Sequence, residues 1–127
     1  MISIYVILYI IFVHWVADFI LQDEKWALGK SKNLRDLLSH TSLYGIVWIF
    51  AAIPLFSVGY GAVLYGGITF IFHTLTDYFT SKLVSKKFSN NELGGPIPNI
   101  GAFTYIGGDQ VLHYIQLFLT YLLIISL

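Results

Sequence analysis

Four histidines occur in this sequence, and each has an aspartate four residues away: His14–Asp18, Asp36–His40, His73–Asp77 and Asp109–His113. On an α-helix, positions i and i+4 share one face, a turn apart. The order within the pairs alternates along the chain, His before Asp, then Asp before His, and so again. If successive helices run in opposite directions, all four Asp lie toward one end of a bundle. All four His then lie one turn deeper, ~5 Å. Only five of the 127 residues are Asp, so chance is a poor account of one standing in the same relative place beside every His.

Imidazole and carboxylate together suit a divalent cation, Zn first, with Mn or Fe as alternatives. The eight groups are His14, Asp18, Asp36, His40, His73, Asp77, Asp109 and His113. They exceed the roughly four ligands of a single Zn. They fit two ions, or one ion whose His ligands are oriented by carboxylate partners. An Asp left free of metal, Asp18 or Asp109, would act as a catalytic general base. The alternative is a proton-linked His–Asp network that only ties helices together. Asp36 stands somewhat apart, because it adjoins Arg35 and suits the first turn of a helix. Gln22, Gln110, Gln116 and Thr120 extend the same stripes as interhelical hydrogen-bonding groups. Without Cys, neither a thiolate site nor a disulfide exists, and no Ser nucleophile motif competes.

The elements that position these residues are apolar. Charged residues make up 11% of the chain and hydrophobic ones 57%, against about 25% charged in soluble domains. Four runs long enough to cross a bilayer cover about 2–21, 36–57, 60–84 and 109–127. They imply an all-α membrane protein, an antiparallel four-helix transmembrane bundle forming a single integral membrane domain over 1–127. No basic leader or cleavage site marks the first run as a signal peptide, so it is expected to stay as a helix. All seven Lys and Arg fall in or beside the first and third connections. The positive-inside rule then puts those loops in the cytoplasm and both termini outside. Zero formal net charge and the absence of a basic stripe exclude a nucleic-acid surface.

His14 to His73 and Asp18 to Asp77 are both 59 residues apart, while Asp36 to Asp109 and His40 to His113 are both 73 apart. The bundle therefore reads as two pseudo-repeated helix hairpins, the second with a longer connection. That connection, 86–108, is rich in Gly and Pro and is expected to be a lid, an interfacial segment or a plain loop. Gly59, Gly61, Ala62, Gly66 and Gly67 offer small residues for close helix contact.

The run HWVADFILQ at 14–22, His40 opening the second helix, HTLTD at 73–77 and DQVLH at 109–113 resemble the domain-of-unknown-function family 3307. This is a family of small membrane proteins of bacteria and phages. The resemblance covers nearly the whole chain, implies a bacterial inner (cell) membrane location, and brings no established activity. The pattern is also similar, more loosely, to membrane-bound metal-dependent hydrolases. That likeness implies metal ligation by His14, Asp18, His40, His73, Asp77, Asp109 and His113.

Three functions follow as expectations. The first is a metal-dependent hydrolase acting on a lipid-linked or small phosphate or ester substrate. The second is a transporter or channel for an ion or small solute. Against it, residues 1–13, 41–72 and 114–127 hold no ionisable side chain except Tyr, unless a homo-oligomer forms the path. The third is a non-catalytic, metal-stabilised membrane interaction protein.

Overall fold

Ser3, Asp23 and Asn33 each sit in extended backbone and accept a backbone N–H of the following turn, which starts three helices. The computed structural model describes residues 2–56, 59–94 and 101–127. Helix α1 runs Ile4–Trp15 and continues as a π-turn over Val16–Ile20. A short helix α2, Glu24–Gly29, lies in the first connection. Helix α3 spans Leu34–Ala51, and Pro54, which cannot donate to a continuing helix, falls in a 3-10 turn over Ile53–Leu55. Helices α4, Gly59–Ser89, and α5, Gly101–Ile125, complete an all-helical chain.

Neighbouring long helices are antiparallel. Thr41 meets Thr74 while Gly45 lies against Gly66 and Phe70, and Tyr65 meets Leu117 while Thr80 meets Asp109, so residues advance on one helix as they recede on the next. Tyr9 of α1 donates to the Ala51 carbonyl near the end of α3. His14 contacts Gln110 and Tyr114 of α5, which brings α1 beside both α3 and α5.

Three boundaries differ from the sequence expectation, the first being α3, which ends at Ala51 rather than about residue 57, before the 3-10 turn that holds Pro54. Helix α4 reaches Ser89 rather than about residue 84, and its end is a Schellman-type cap. Asn91 adopts a left-handed φ of 56°, its N–H bonds the Phe88 carbonyl, and the Glu92 N–H bonds Lys87. Lys86 and Lys87 then lie in the last turn, where the helix dipole favours cations. Helix α5 begins at Gly101 rather than about 109, so much of the expected 86–108 loop is helical. The Gly101 N–H bonds the Leu93 carbonyl at 2.7 Å, and Leu93 is buried. Residues 95–100 of that connection, and 57–58 of the middle turn, lie outside the described residues.

Burial divides the bundle along its length. Toward the 3-10 turn, Trp48, Tyr65, Leu117 and Ile124 form an apolar and aromatic core. Toward the lysine-bearing connections, the buried side chains include His14, Asp18, His40, His73, Asp77 and His113, with Leu37 and Leu93 beside them. Large hydrophobics face outward on every long helix, among them Phe12, Phe50, Phe79 and Leu119. Among the described residues, α5 is the helix long and apolar enough to cross a membrane, and the apolar stretch Ile4–Ile20 is shorter. Length and composition alone therefore support one span rather than four.

The expectation for the small residues divides by position. A Cβ on Gly66 would stand 2.8 Å from the Ile49 amide nitrogen and 2.9 Å from the Gly45 carbonyl, whereas Gly67 has open space. Gly66 thus sets the approach of α3 to α4. Gly66→Ala should cost about 1–3 kcal/mol through overpacking. Gly67→Ala should be neutral or stabilising by up to about 1 kcal/mol. Thermal unfolding of the purified variants compares the two, and equal midpoints would contradict this account.

Candidate metal centre

His73, fully buried on α4, is the hub. Its Nε2 lies 3.1 Å from His40 Nε2, 3.4 Å from Asp18 Oδ1 and 3.6 Å from Asp77 Oδ2. His40 Nε2 is itself 3.1 Å from Asp18 Oδ1 and 3.3 Å from Asp77 Oδ2. Donors about 2.0–2.1 Å from a tetrahedral Zn would stand about 3.3 Å from one another. Five separations among these four atoms, which come from three helices, run from 3.1 to 3.6 Å, near that spacing. Beside them, His113 Nε2 lies 3.3 Å from Asp77 Oδ1 and 3.2 Å from Asp109 Oδ2. Asp77 thus presents one oxygen to each group.

Three of these atoms, Asp18 Oδ1, Asp77 Oδ1 and His113 Nε2, are buried without a hydrogen-bond partner. They approach opposing groups closely, yet no hydrogen bond is aligned between them. Buried polar atoms are rarely left so, and the arrangement suits atoms aimed at a common cation. Three overlapping sets could hold a metal ion: Asp18, His73 and His113; His40, His73 and Asp77; and Asp77, Asp109 and His113.

A π-turn places Asp18. The Leu21 N–H reaches back to the Val16 carbonyl at 2.9 Å, five residues away, so the helix is locally widened. Asp18 Oδ2 is left 3.8 Å from His14 Nε2, its partner at i−4, while Oδ1 faces His40 and His73. In the regular helices, His73–Asp77 and Asp109–His113 keep their own partners at 3.6 and 3.2 Å.

His14 and Asp36 depart from the expectation of eight ligands. Tyr44 O–H donates to His14 Nδ1 at 2.6 Å, and His14 Nε2–H donates to Gln110 Oε1 at 2.6 Å. The Gln110 amide nitrogen then donates to Asp18 Oδ2 and Asp109 Oδ2 at 3.3 and 3.1 Å. Both ring nitrogens of His14 are therefore occupied, and its effect on the centre passes through Gln110 to two carboxylates. Asp36 is farther removed. Its Oδ2 accepts from Asn33 Nδ2 at 2.7 Å, its N–H bonds Asn33 Oδ1 at 2.8 Å, and it packs against Gly29. It joins α2 to α3 as part of a helix cap.

Three participants escaped the sequence reading. Tyr44 stacks on His73 with ring centroids 3.8 Å apart, and its signal is the i+4 continuation of His40. Thr80 donates to Asp109 Oδ1 at 2.7 Å, one turn beyond Asp77. Lys30 arrives from the first connection, and its Nζ bonds Asp77 Oδ2 at 2.8 Å. Burial opposes the charge on Lys30, but Asp77 foremost, then Asp18 and Asp109, outweighs it and holds the amine above its ordinary pKa. Helical spacing gives no hint of Lys30. Gln116, by contrast, bonds Thr69 and Thr120, away from the carboxylates.

This division of labour has a measurable consequence. Asp36→Asn should leave the divalent-metal content of the purified protein unchanged, at a stability cost of no more than about 0.5–2 kcal/mol for a weakened cap. His73→Ala should lower the metal content. Mass-spectrometric metal analysis of monodisperse preparations decides, and equal losses from both would refute it.

No curated protein and no solved structure matches the chain. The profile of one family does match, over residues 6–127, and the chain belongs to that family, described as "Protein of unknown function (DUF3307)".

Proposed function

We propose that this protein is an integral membrane, metal-dependent hydrolase of the bacterial cell membrane, with a two-ion His/Asp centre near the cytoplasmic face. The observation that carries the catalytic part is the set of converging, unpaired buried atoms on Asp18, Asp77 and His113. The four-donor group His40, His73, Asp18 and Asp77 would hold one ion. His113 and Asp77 would hold a second with open positions, the arrangement associated with catalytic rather than structural sites, and Asp109 beside them would stay free of metal. A divalent ion there would acidify water and polarise a phosphoryl or carbonyl oxygen.

The membrane part rests on an inverted distribution of polarity. Buried residues include histidines, aspartates and threonines, while large hydrophobics cover the outside of α1, α3, α4 and α5. Water would penalise that exterior and lipid would not. Four spanning helices, with α2 and the lysine-bearing connections in the cytoplasm, accommodate it. Antiparallel packing then gathers the site at the cytoplasmic end.

The residues themselves supply the remaining chemistry. Asp109 is 13% exposed, against 5% or less for Asp18 and Asp77. With Asp18 it lines a cavity open to the outside of the bundle. Asp109, held by Thr80 and Gln110, would then act as general base, and Asp18 would stay with the first ion. In hydrolysis the water oxygen bonds to the phosphorus or carbonyl carbon while that atom's bond to the leaving oxygen breaks. The proton taken by the base is returned to the leaving oxygen. A transport path through one chain would have to pass the packed Trp48, Tyr65, Leu117 and Ile124, which favours hydrolysis over transport.

Purified protein should carry divalent metal, and chelation should abolish hydrolysis of an aryl phosphate or ester, with Zn or Mn restoring it. Asp109→Asn should lower the rate about 10²–10⁴-fold. A metal-free protein indifferent to chelators would overturn the hydrolase reading. Topology has its own check, made simple by the absence of native Cys. In intact cells, Ile2→Cys should react with an impermeant maleimide and Lys32→Cys should not; the opposite pattern would overturn the orientation.

A further inference from the structure

The cavity beside the centre has a volume of about 590 Å³, within the usual range of ligand pockets, about 300–1,000 Å³. It is enclosed by the end of α1, by α2 and the residues after it, by the last turns of α4 and by the start of α5. Asp18, Asp109 and Gln110 form its floor, so whatever enters meets the candidate metal ligands directly.

Its walls are of two kinds. Lys30, Ser31, Lys32, Ser81 and Ser85 supply cations and hydroxyls. Ser81 Oγ and Gln22 Oε1, both lining the cavity, are buried without a hydrogen-bond partner. Phe19, Leu28, Phe88 and Ile106 supply apolar surface, and all four are exposed at their outer sides. Lys30 joins the polar group to the centre through its bond to Asp77, and the apolar side chains line the rest of the cavity out to its exposed rim.

Charge decides which headgroup fits. Three carboxylates, Lys30 and the neutral imidazoles that metal ligation requires sum to a net negative charge before the ions are counted. Two divalent ions reverse that sign, and Lys32 adds to it. Backbone and hydroxyl donors with Lys are a usual phosphate partner set. We propose that the cavity binds a phosphate ester bearing an apolar chain, with the phosphate between the metal centre and Lys30 and Lys32, and the chain along Phe19, Leu28, Phe88 and Ile106. This rests on the two-ion reading of the centre, and it names the substrate class.

The test is binding to the full-length, Zn-loaded protein by calorimetry, using inorganic phosphate and butyl, hexyl and octyl phosphates below their aggregation limits. Affinity should rise with chain length, toward roughly fourfold per fully buried methylene. Inorganic phosphate should bind at least tenfold more weakly than octyl phosphate, and octanol should not bind. Phe88→Ala should flatten the chain-length dependence without changing inorganic phosphate binding. Lys32→Gln should weaken every phosphate about equally, and removal of Zn should abolish all of it. Equal affinity for inorganic and octyl phosphate, or a chain-length slope unchanged by Phe88→Ala, would overturn the proposal. Chain-dependent binding without hydrolysis would sustain this inference and defeat the hydrolase reading. Metal-dependent hydrolysis without chain dependence would do the reverse.

Discussion

Burying several carboxylates together requires a compensating positive charge, and the rest of this fold follows from that requirement. Asp18, Asp77 and Asp109 converge from three helices on one level of the bundle. An isolated buried carboxylate is costly unless paired or bound to metal. Imidazoles from four helices surround the three, and one ammonium, Lys30, is brought in from a connection to reach Asp77. The helices are therefore tied at the polar level by groups that need each other. At the other end, ordinary packing of Trp48, Tyr65 and Leu117 suffices.

The hub imposes an order on its surroundings. His73 touches partners on α1, α3 and α5, and its ring is held flat against Tyr44. Tyr44 in turn holds His14, which holds Gln110, which holds Asp18 and Asp109. Each link fixes the orientation of the next, so the carboxylates facing the cavity are preorganised from behind. The same logic governs metal proteins generally, where outer partners orient the ligands. Here the outer chain also crosses from one helix pair to the other.

Much of this was legible in the sequence, because i+4 spacing on a helix is rigid geometry. The pairs His73–Asp77 and Asp109–His113 needed only that rule, and the alternating order gave the antiparallel arrangement that brings them together. Asp18 was legible as a residue but its aim was not, since a π-turn leaves no mark in a pattern of apolar and polar positions. His14 and Asp36 show the opposite limit. Their types and spacing equal those of the others, and only their neighbours, Tyr44 and Gln110 for one and Asn33 for the other, divert them. Lys30 could not be read at all, because its approach depends on how a short helix folds back across the bundle end. The start of α5 was obscured by Gly107 and Gly108, which read as a loop yet sit inside the helix.

Helix α4 has a use as a ruler. Its 31 residues extend about 46 Å at 1.5 Å per residue, half as long again as the ~30 Å hydrocarbon core of a bilayer. In the proposed four-span arrangement, with Gly59 at the outer boundary, Asp77 would fall about 27 Å along the axis, just inside the opposite boundary. Lys82, Lys86 and Lys87 then stand clear of the hydrocarbon on a helical post. In the proposed orientation, a membrane thinner by one helical turn would leave the aspartates in headgroup water, and a thicker one would draw them into hydrocarbon. The depth at which this chemistry operates would thus be set by bilayer thickness, and lipid composition becomes a variable of the site itself.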